Sequence, residues 1–234
     1  MSWPLNSGGQ QFRDDRGAAD PRAAEALAAY QAGQGSEQEA LGALAGARLL
    51  VPVVAVLTDG DERGDKNSEM MLPRLIGRDG RPAVLAFTGL DALARWRPDA
   101  RPVPAEADRV WRAAAADGCA VIIDVAGPVP LAVEGARLAA LAAGRPVPPP
   151  HEDPDVRAEV EAAVAGEPAL AGFALAPGRA GGPDLAVTLH PGPAGAKDTA
   201  AAVNRTVAAI ASRLGARLRR GIEVAIAERP RPTP

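Results

Sequence analysis

The chain reads as an α/β protein of the α+β type: a mixed sheet with flanking helices, followed by a smaller α-β-β-α-β domain. Three observations predict this. Two Val/Ile-rich runs, "ARLLVPVVAVL" ending at Leu57 and "CAVIIDVAG" from Cys119, have the continuous apolar character of strands buried on both faces. Segments with capping residues and helical apolar spacing flank them. Beyond "RPVPPPHEDP", residues 145–154, the pattern restarts on a smaller scale with strict alternation in its strands.

The elements follow in order. Residues 1–20 are rich in Gly, Gln, Asp and Arg without a period and are expected to form a mobile tail. Asp20-Pro21 is an N-cap and first-turn pair. Ser36 and Glu39 form an S-x-x-E capping box, with Leu41 and Leu44 at helical spacing behind it. Strands are expected at about 48–57, 69–76, 81–87 and 119–125, in one sheet. Pro52 falls inside the first and points to a strand start, an edge or a bulge. Asp79-Gly80 is the hairpin turn between the second and third. Thr88 and Asp91 form a T-x-x-D box, so a helix starts near Gly89 and stops at Pro98. Another helix spans 105–117, with Val110, Trp111 and Ala114 inward and Gly118 at its left-handed end. "PLAV" suits a short partner strand, and Leu138 and Leu141 mark a helix ending at Gly144.

Residues 145–154 hold five prolines in ten and are expected to be a stiff linker between domains spanning 21–144 and 155–228, with a tail at 229–234. In the second domain Asp153-Pro154 opens a helix carrying Val156, Val160 and Val164. Phe173 and Leu175, then Leu185, Val187 and Leu189, alternate as strands. A helix with Val203, Val207, Ile210 and Leu214 precedes a last strand at Ile222–Ile226.

Composition limits the function classes. Only 3% of residues are aromatic, so the core is Ala, Val and Leu. Arg outnumbers Lys by 24 to 2, the bias of a GC-rich bacterial genome. A net charge of −3 provides no field for nucleic acid or an anionic membrane, and neither is expected as a partner. The longest apolar run has nine residues against the about 18 that a spanning helix needs. The opening residues show no apolar signal-peptide core, so a cytoplasmic protein is expected.

The stretch "LPRLIGRDGRPAVLAFTGLDALARWRPDARPVP" followed by "AVIIDVAGPVPLAVEGARLAALAAG" resembles the SseB family. The matching pieces are Asp79-Gly80-Arg81, Phe87-Thr88-Gly89, Arg95-Trp96 and Ala126-Gly127-Pro128. The resemblance covers residues 48–144 closely and 155–227 by pattern, and leaves out the first 35 residues. It implies a bacterial, cytosolic, mixed α/β protein and carries over no catalytic residue.

Chemistry-bearing motifs are sparse. Asp59, Asp61, Gly64, Asp65 and Asn67 fit a calcium-loop register, but Arg63 and Met70 stand where a ligand and the bidentate Glu belong, so a solvated loop is expected. Cys119, His151 and His190 have no metal spacing, and Cys119 reads as a small core residue. No glycine pattern makes a phosphate cradle, and no cofactor is expected. The remaining candidates are Arg95, Trp96, Arg97 and Arg101, a cationic surface with an aromatic face suited to an acidic protein or peptide. The structural alternative is a core Trp with Arg stems laid over it. Asp124, ending a strand beside Gly127-Pro128, suits a strand-end ligand or a turn cap. The favoured reading is a non-catalytic binding or regulatory protein. The alternative is an enzyme with a site around Asp124, Thr88, Asp91 and the Arg95/Arg97 region.

Overall fold

A computed structural model of the chain describes residues 12, 15–57, 68–77, 80–128 and 130–227. The Asp59–Asn67 loop and the turn residue Asp79 lie outside them. The fold is α+β with mixed sheets. Its elements are α1 (Pro21–Gln31), α2 (Glu37–Leu44), β1 (Arg48–Leu57), β2 (Ser68–Met71), β3 (Arg74–Ile76), β4 (Pro82–Ala86), α3 (Leu90–Trp96), β5 (Arg101–Glu106), α4 (Ala107–Ala116), β6 (Ala120–Ile123), β7 (Leu131–Val133), α5 (Gly135–Ala142), α6 (Pro154–Ala165), β8 (Leu170–Pro177), β9 (Leu185–Pro191), α7 (Ala196–Leu214) and β10 (Ile222–Ile226).

The chain divides into two compact units. One takes the described residues up to Ala28 with Ala40–Val147; the other takes Ala29–Glu39 with the chain from Pro148 onward.

In the first unit the strands fall into two sheets, not the one sheet expected: β2-β1-β5, all antiparallel, and β3-β4-β6-β7, in which β4 and β6 run parallel. A two-bond bridge joins them, Leu50 N–H to the Phe87 carbonyl and Phe87 N–H to the Leu50 carbonyl, both 2.8 Å. Pro52 explains the division. Its ring nitrogen faces the same side as Leu50, because alternate residues of a strand share an edge. With no N–H to donate, it marks the gap where that edge of β1 passes from Phe87 to Met71, which pairs with Val54.

β5 is absent from the sequence expectation, because Pro102 and Pro104 argue against a strand. Both prolines have the same parity, and β5 is an edge strand of its sheet. Their missing donors therefore face away from β1, while Arg101, Val103 and Ala105 face Val53, Val51 and Leu49. Beneath the sheets, α4 buries Val110, Trp111 and Ala114 as its spacing predicts, and Gly118 ends it at φ +64°.

The second unit has the order β10-β9-β8, with β9 and β10 parallel and β8 and β9 antiparallel. Alternation buries Leu185, Val187 and Leu189 against Val156, Val160 and Val164 of α6 and Ala202, Ile210 and Leu214 of α7. Asp153 caps α6 by accepting from Asp155 N–H at 2.8 Å. Residues 145–149 carry no helix or strand, yet Val147 and Asp153 are both buried. Ser36 and Glu39 make the reciprocal capping box: Ser36 N–H donates to Glu39 Oε2 at 2.7 Å and Glu39 N–H to Ser36 Oγ at 3.1 Å.

Candidate functional site

The parallel pair β4 and β6 ends its two strands side by side, with Ala86 opposite Ile123. The next residues, Phe87-Thr88 and Asp124, therefore leave the sheet together. Ligands of open α/β sheets bind outside such carboxyl ends.

Asp124 has φ +50°, left-handed for a side-chain-bearing residue, and its carbonyl closes a turn by accepting from Gly127 N–H at 2.7 Å. Its carboxylate turns back to the neighbouring strand end. Oδ1 accepts from Thr88 N–H at 2.9 Å and Oδ2 from the Thr88 hydroxyl at 2.7 Å. Burial pushes the Asp124 carboxyl above the usual carboxylate range, against the pull of the Thr88 bonds and the Arg95 charge. This corrects the expected T-x-x-D box. Thr88 does not cap α3; Gly89 occupies the cap position without a side-chain bond, because the Thr88 hydroxyl is committed to Asp124.

α3 presents the aromatic and cationic candidates. Ala92 and Leu93 face the core, and Trp96 is half-buried against it, its ring centroid 5.5 Å from that of Phe87. The Arg97 guanidinium lies 5.9 Å from the Trp96 ring centroid and holds Asp99 through bonds of 3.1 and 2.8 Å. That hydrogen bonding holds the Asp99 carboxyl below its usual range and the Arg97 guanidinium above its own. Arg95, Arg97 and Arg101 are all exposed, but Arg101 stands on β5 opposite Val53. The structure thus joins Trp96 with Arg97 at the C-terminal end of α3 and Thr88 with Asp124 at its N-terminal end, while Arg95, in the last turn, lines the cleft that Thr88 also lines.

A cleft of about 410 Å³ opens beside α3, walled by Thr88–Ala92 and Arg95 on one side and Arg16–Ala19 on the other. The composition of residues 1–20 predicts a tail that includes residues 15–19. In the structure Arg48 grips them. Its guanidinium pairs with the Asp15 carboxylate at 2.7 Å, donates to the Ala18 carbonyl, and reaches the Thr88 carbonyl at 3.1 Å. The detectable signal was the Asp15-x-Gly17 spacing, an Asx turn in which Gly17 N–H donates to Asp15 Oδ1 at 2.8 Å.

Other candidates do not assemble. Cys119 is buried, with its thiol 3.6 Å from the Asp117 carbonyl. Among the described residues no group of His, Cys, Asp and Glu could hold a metal ion. A cleft of about 510 Å³ in the second unit has its one arginine, Arg205, bonded twice to Glu167 at 2.8 and 2.6 Å. No helix among the described residues is long and apolar enough to cross a membrane.

Searches of curated proteins and of solved structures found no match. The model of the SseB protein N-terminal domain matches residues 24–140, half of the chain, and so takes in most of α1, which the sequence resemblance left out. With the motif residues Phe87, Thr88, Gly89, Arg95 and Trp96 all inside that match and gathered around α3, the chain belongs to the SseB family.

Proposed function

We propose that the chain is a non-catalytic binding or regulatory protein of the bacterial cytosol, engaging an acidic protein or peptide at the surface carrying Arg95, Trp96, Arg97 and Arg101. The observation that carries this reading is the state of the best acid/base candidate. Both carboxylate oxygens of Asp124 already accept from Thr88, which makes Asp124 a brace between strand ends. Catalysis needs a poised acid or base, an activated nucleophile or a metal. Binding needs a shaped surface with an anchor, and half-buried Trp96 under Arg97 has that form. The net charge of −3 gives nucleic acid no general attraction, so a protein partner fits better.

The test is affinity capture from native lysate with the wild-type chain and with Arg97→Glu plus Arg101→Glu. Exposed substitutions change stability by less than about 0.5 kcal/mol, so the double variant folds. Loss of a specific acidic partner supports the reading; unchanged recovery removes this surface. The left-handed backbone and burial-raised carboxyl of Asp124 favour the enzyme alternative, with a site around Thr88, Asp124 and Arg95. A turnover activity lost on Asp124→Asn in a folded chain would select it.

A further inference from the structure

Asp15–Ala19 belongs to no helix or strand, yet its seat is shaped closely for it. Gly17 is buried at φ +77°, and a Cβ there would lie 2.3 Å from the Leu90 side chain. Across the contact, a Cβ on Gly89 would lie 3.0 Å from Ala19 N and 3.1 Å from the Gly17 carbonyl oxygen. The Gly17 carbonyl accepts from Leu90 N–H at 2.8 Å. The Arg48–Asp15 pair is largely sheltered, with side-chain exposures of 14% and 18%. Beyond it, a groove of about 300 Å³ is lined by Phe12, Leu50, Leu90, Pro102 and Pro104.

These contacts read little of the segment's own side chains. They read one carboxylate, the backbone of two residues, a glycine, and an aromatic ring upstream. That is the manner in which proteins recognise linear motifs, by backbone bonds plus one or two anchors. The seat also favours an anion: among the described residues Asp15 is the carboxylate paired with Arg48, whose side chain is largely sheltered. Asp15–Ala19 lies outside the helices and strands, so it opens more readily than the elements beneath it.

We propose that the seat of Asp15–Ala19 is a docking groove for an extended peptide of a partner protein carrying a carboxylate two residues before a glycine, and that Asp15–Ala19 is its competitor in cis. The groove uses Arg48, Thr88, Gly89 and Leu90, so the inference stands apart from the Arg97 and Arg101 surface. A partner displaces the segment only as far as it binds the open state, and the closed fraction weakens it in proportion.

The experiment uses the full chain and a labelled synthetic peptide of residues 12–20, FRDDRGAAD, read by fluorescence anisotropy. Gly17→Ala in the chain keeps every groove residue and strains the seated segment, through the left-handed backbone and the close approach to the Leu90 side chain, so it favours the open state. Hydrogen exchange at the Leu90 amide reports eviction. The expected results are lost protection at Leu90 in Gly17→Ala, and peptide binding at least about tenfold tighter than to the wild-type chain. Binding should disappear with an Asp15→Asn peptide and with the Gly17→Ala/Arg48→Gln chain. Persistent protection at Leu90, equal binding to wild type and variant, or no binding to either overturns the proposal. Dimerisation of the variant in place of peptide binding also overturns it, by assigning the groove to a second copy. Arg97 and Arg101 are untouched throughout, so this result does not depend on the Trp96 surface.

Discussion

At the scale of single residues, the contact that organises the site joins two side chains 36 positions apart. Thr88 and Asp124 are each visible in the sequence as polar residues ending a strand. Their pairing is not, because it exists only once β4 and β6 lie parallel and in register. The sequence offered Thr88 a local role, helix capping, and a longer-range bond took its place. The pH behaviour follows from the raised carboxyl of Asp124. An acid raised on folding holds its proton better in the folded chain. Its contribution is therefore fully present below the ordinary carboxylate value and is lost as pH rises through the raised value. Thr88→Val removes a donor to the charged form. It should cost about 1.5–3 kcal/mol at neutral pH, the range for hydrogen bonds to charged groups. The cost should shrink as Asp124 is protonated. Urea midpoints of both chains across acidic to neutral pH check this, and a pH-independent difference would refute it.

At the scale of elements, the caps of α2 and α6 were the most legible. Ser36 with Glu39 and Asp153 with Pro154 act as their residue types dictate. β5 was hidden because proline speaks against strands in general, and only an edge position with the right parity admits two of them. The turn carrying Arg217, between α7 and β10, was hidden for a different reason: its partners are remote. Arg217 pairs with Glu37 at 3.0 Å and with Asp153 at 2.7 Å, and Asp153 is fully buried. Burial lowers the Arg217 pKa, and the two carboxylates outweigh it, leaving a net rise. Removing one partner of a buried ion cluster leaves uncompensated charge. Arg217→Met should therefore destabilise the second unit by about 3–5 kcal/mol. Arg217→Lys should recover part of that. Hydrogen exchange along α6 measures both, and unchanged protection in Arg217→Met would show the cluster to be dispensable.

At the scale of the whole molecule, the α-β-β-α-β order of the second unit was readable from alternation alone, since one apolar face per strand leaves one solution. The membership of residues 29–39 was not. Nothing in "AYQAGQGSEQE" announces that Tyr30 will donate to the carbonyls of Ala216 and Arg217, both at 3.1 Å, or that Glu37 will reach Arg217. The second unit is therefore discontinuous in sequence. A fragment beginning at Pro148 should lack part of its own structure and melt below the same unit in the intact chain. Its melting temperature should rise when a peptide of residues 29–39 is added, since a ligand that binds only the native form stabilises it. Equal melting with and without the peptide would contradict this.

The 186 positions between Tyr30 and Ala216 also order events during synthesis. At about 5–20 residues per second, roughly 10–40 s separate the two on the ribosome. Throughout that interval the tyrosine and Glu37 are outside without the groups that will hold them. The first unit has all its residues once Val147 has emerged, so it can close around a nascent chain whose early segment is still waiting. Whatever binds residues 29–39 in that window, a chaperone or a neighbouring nascent chain, competes with the protein's own completion.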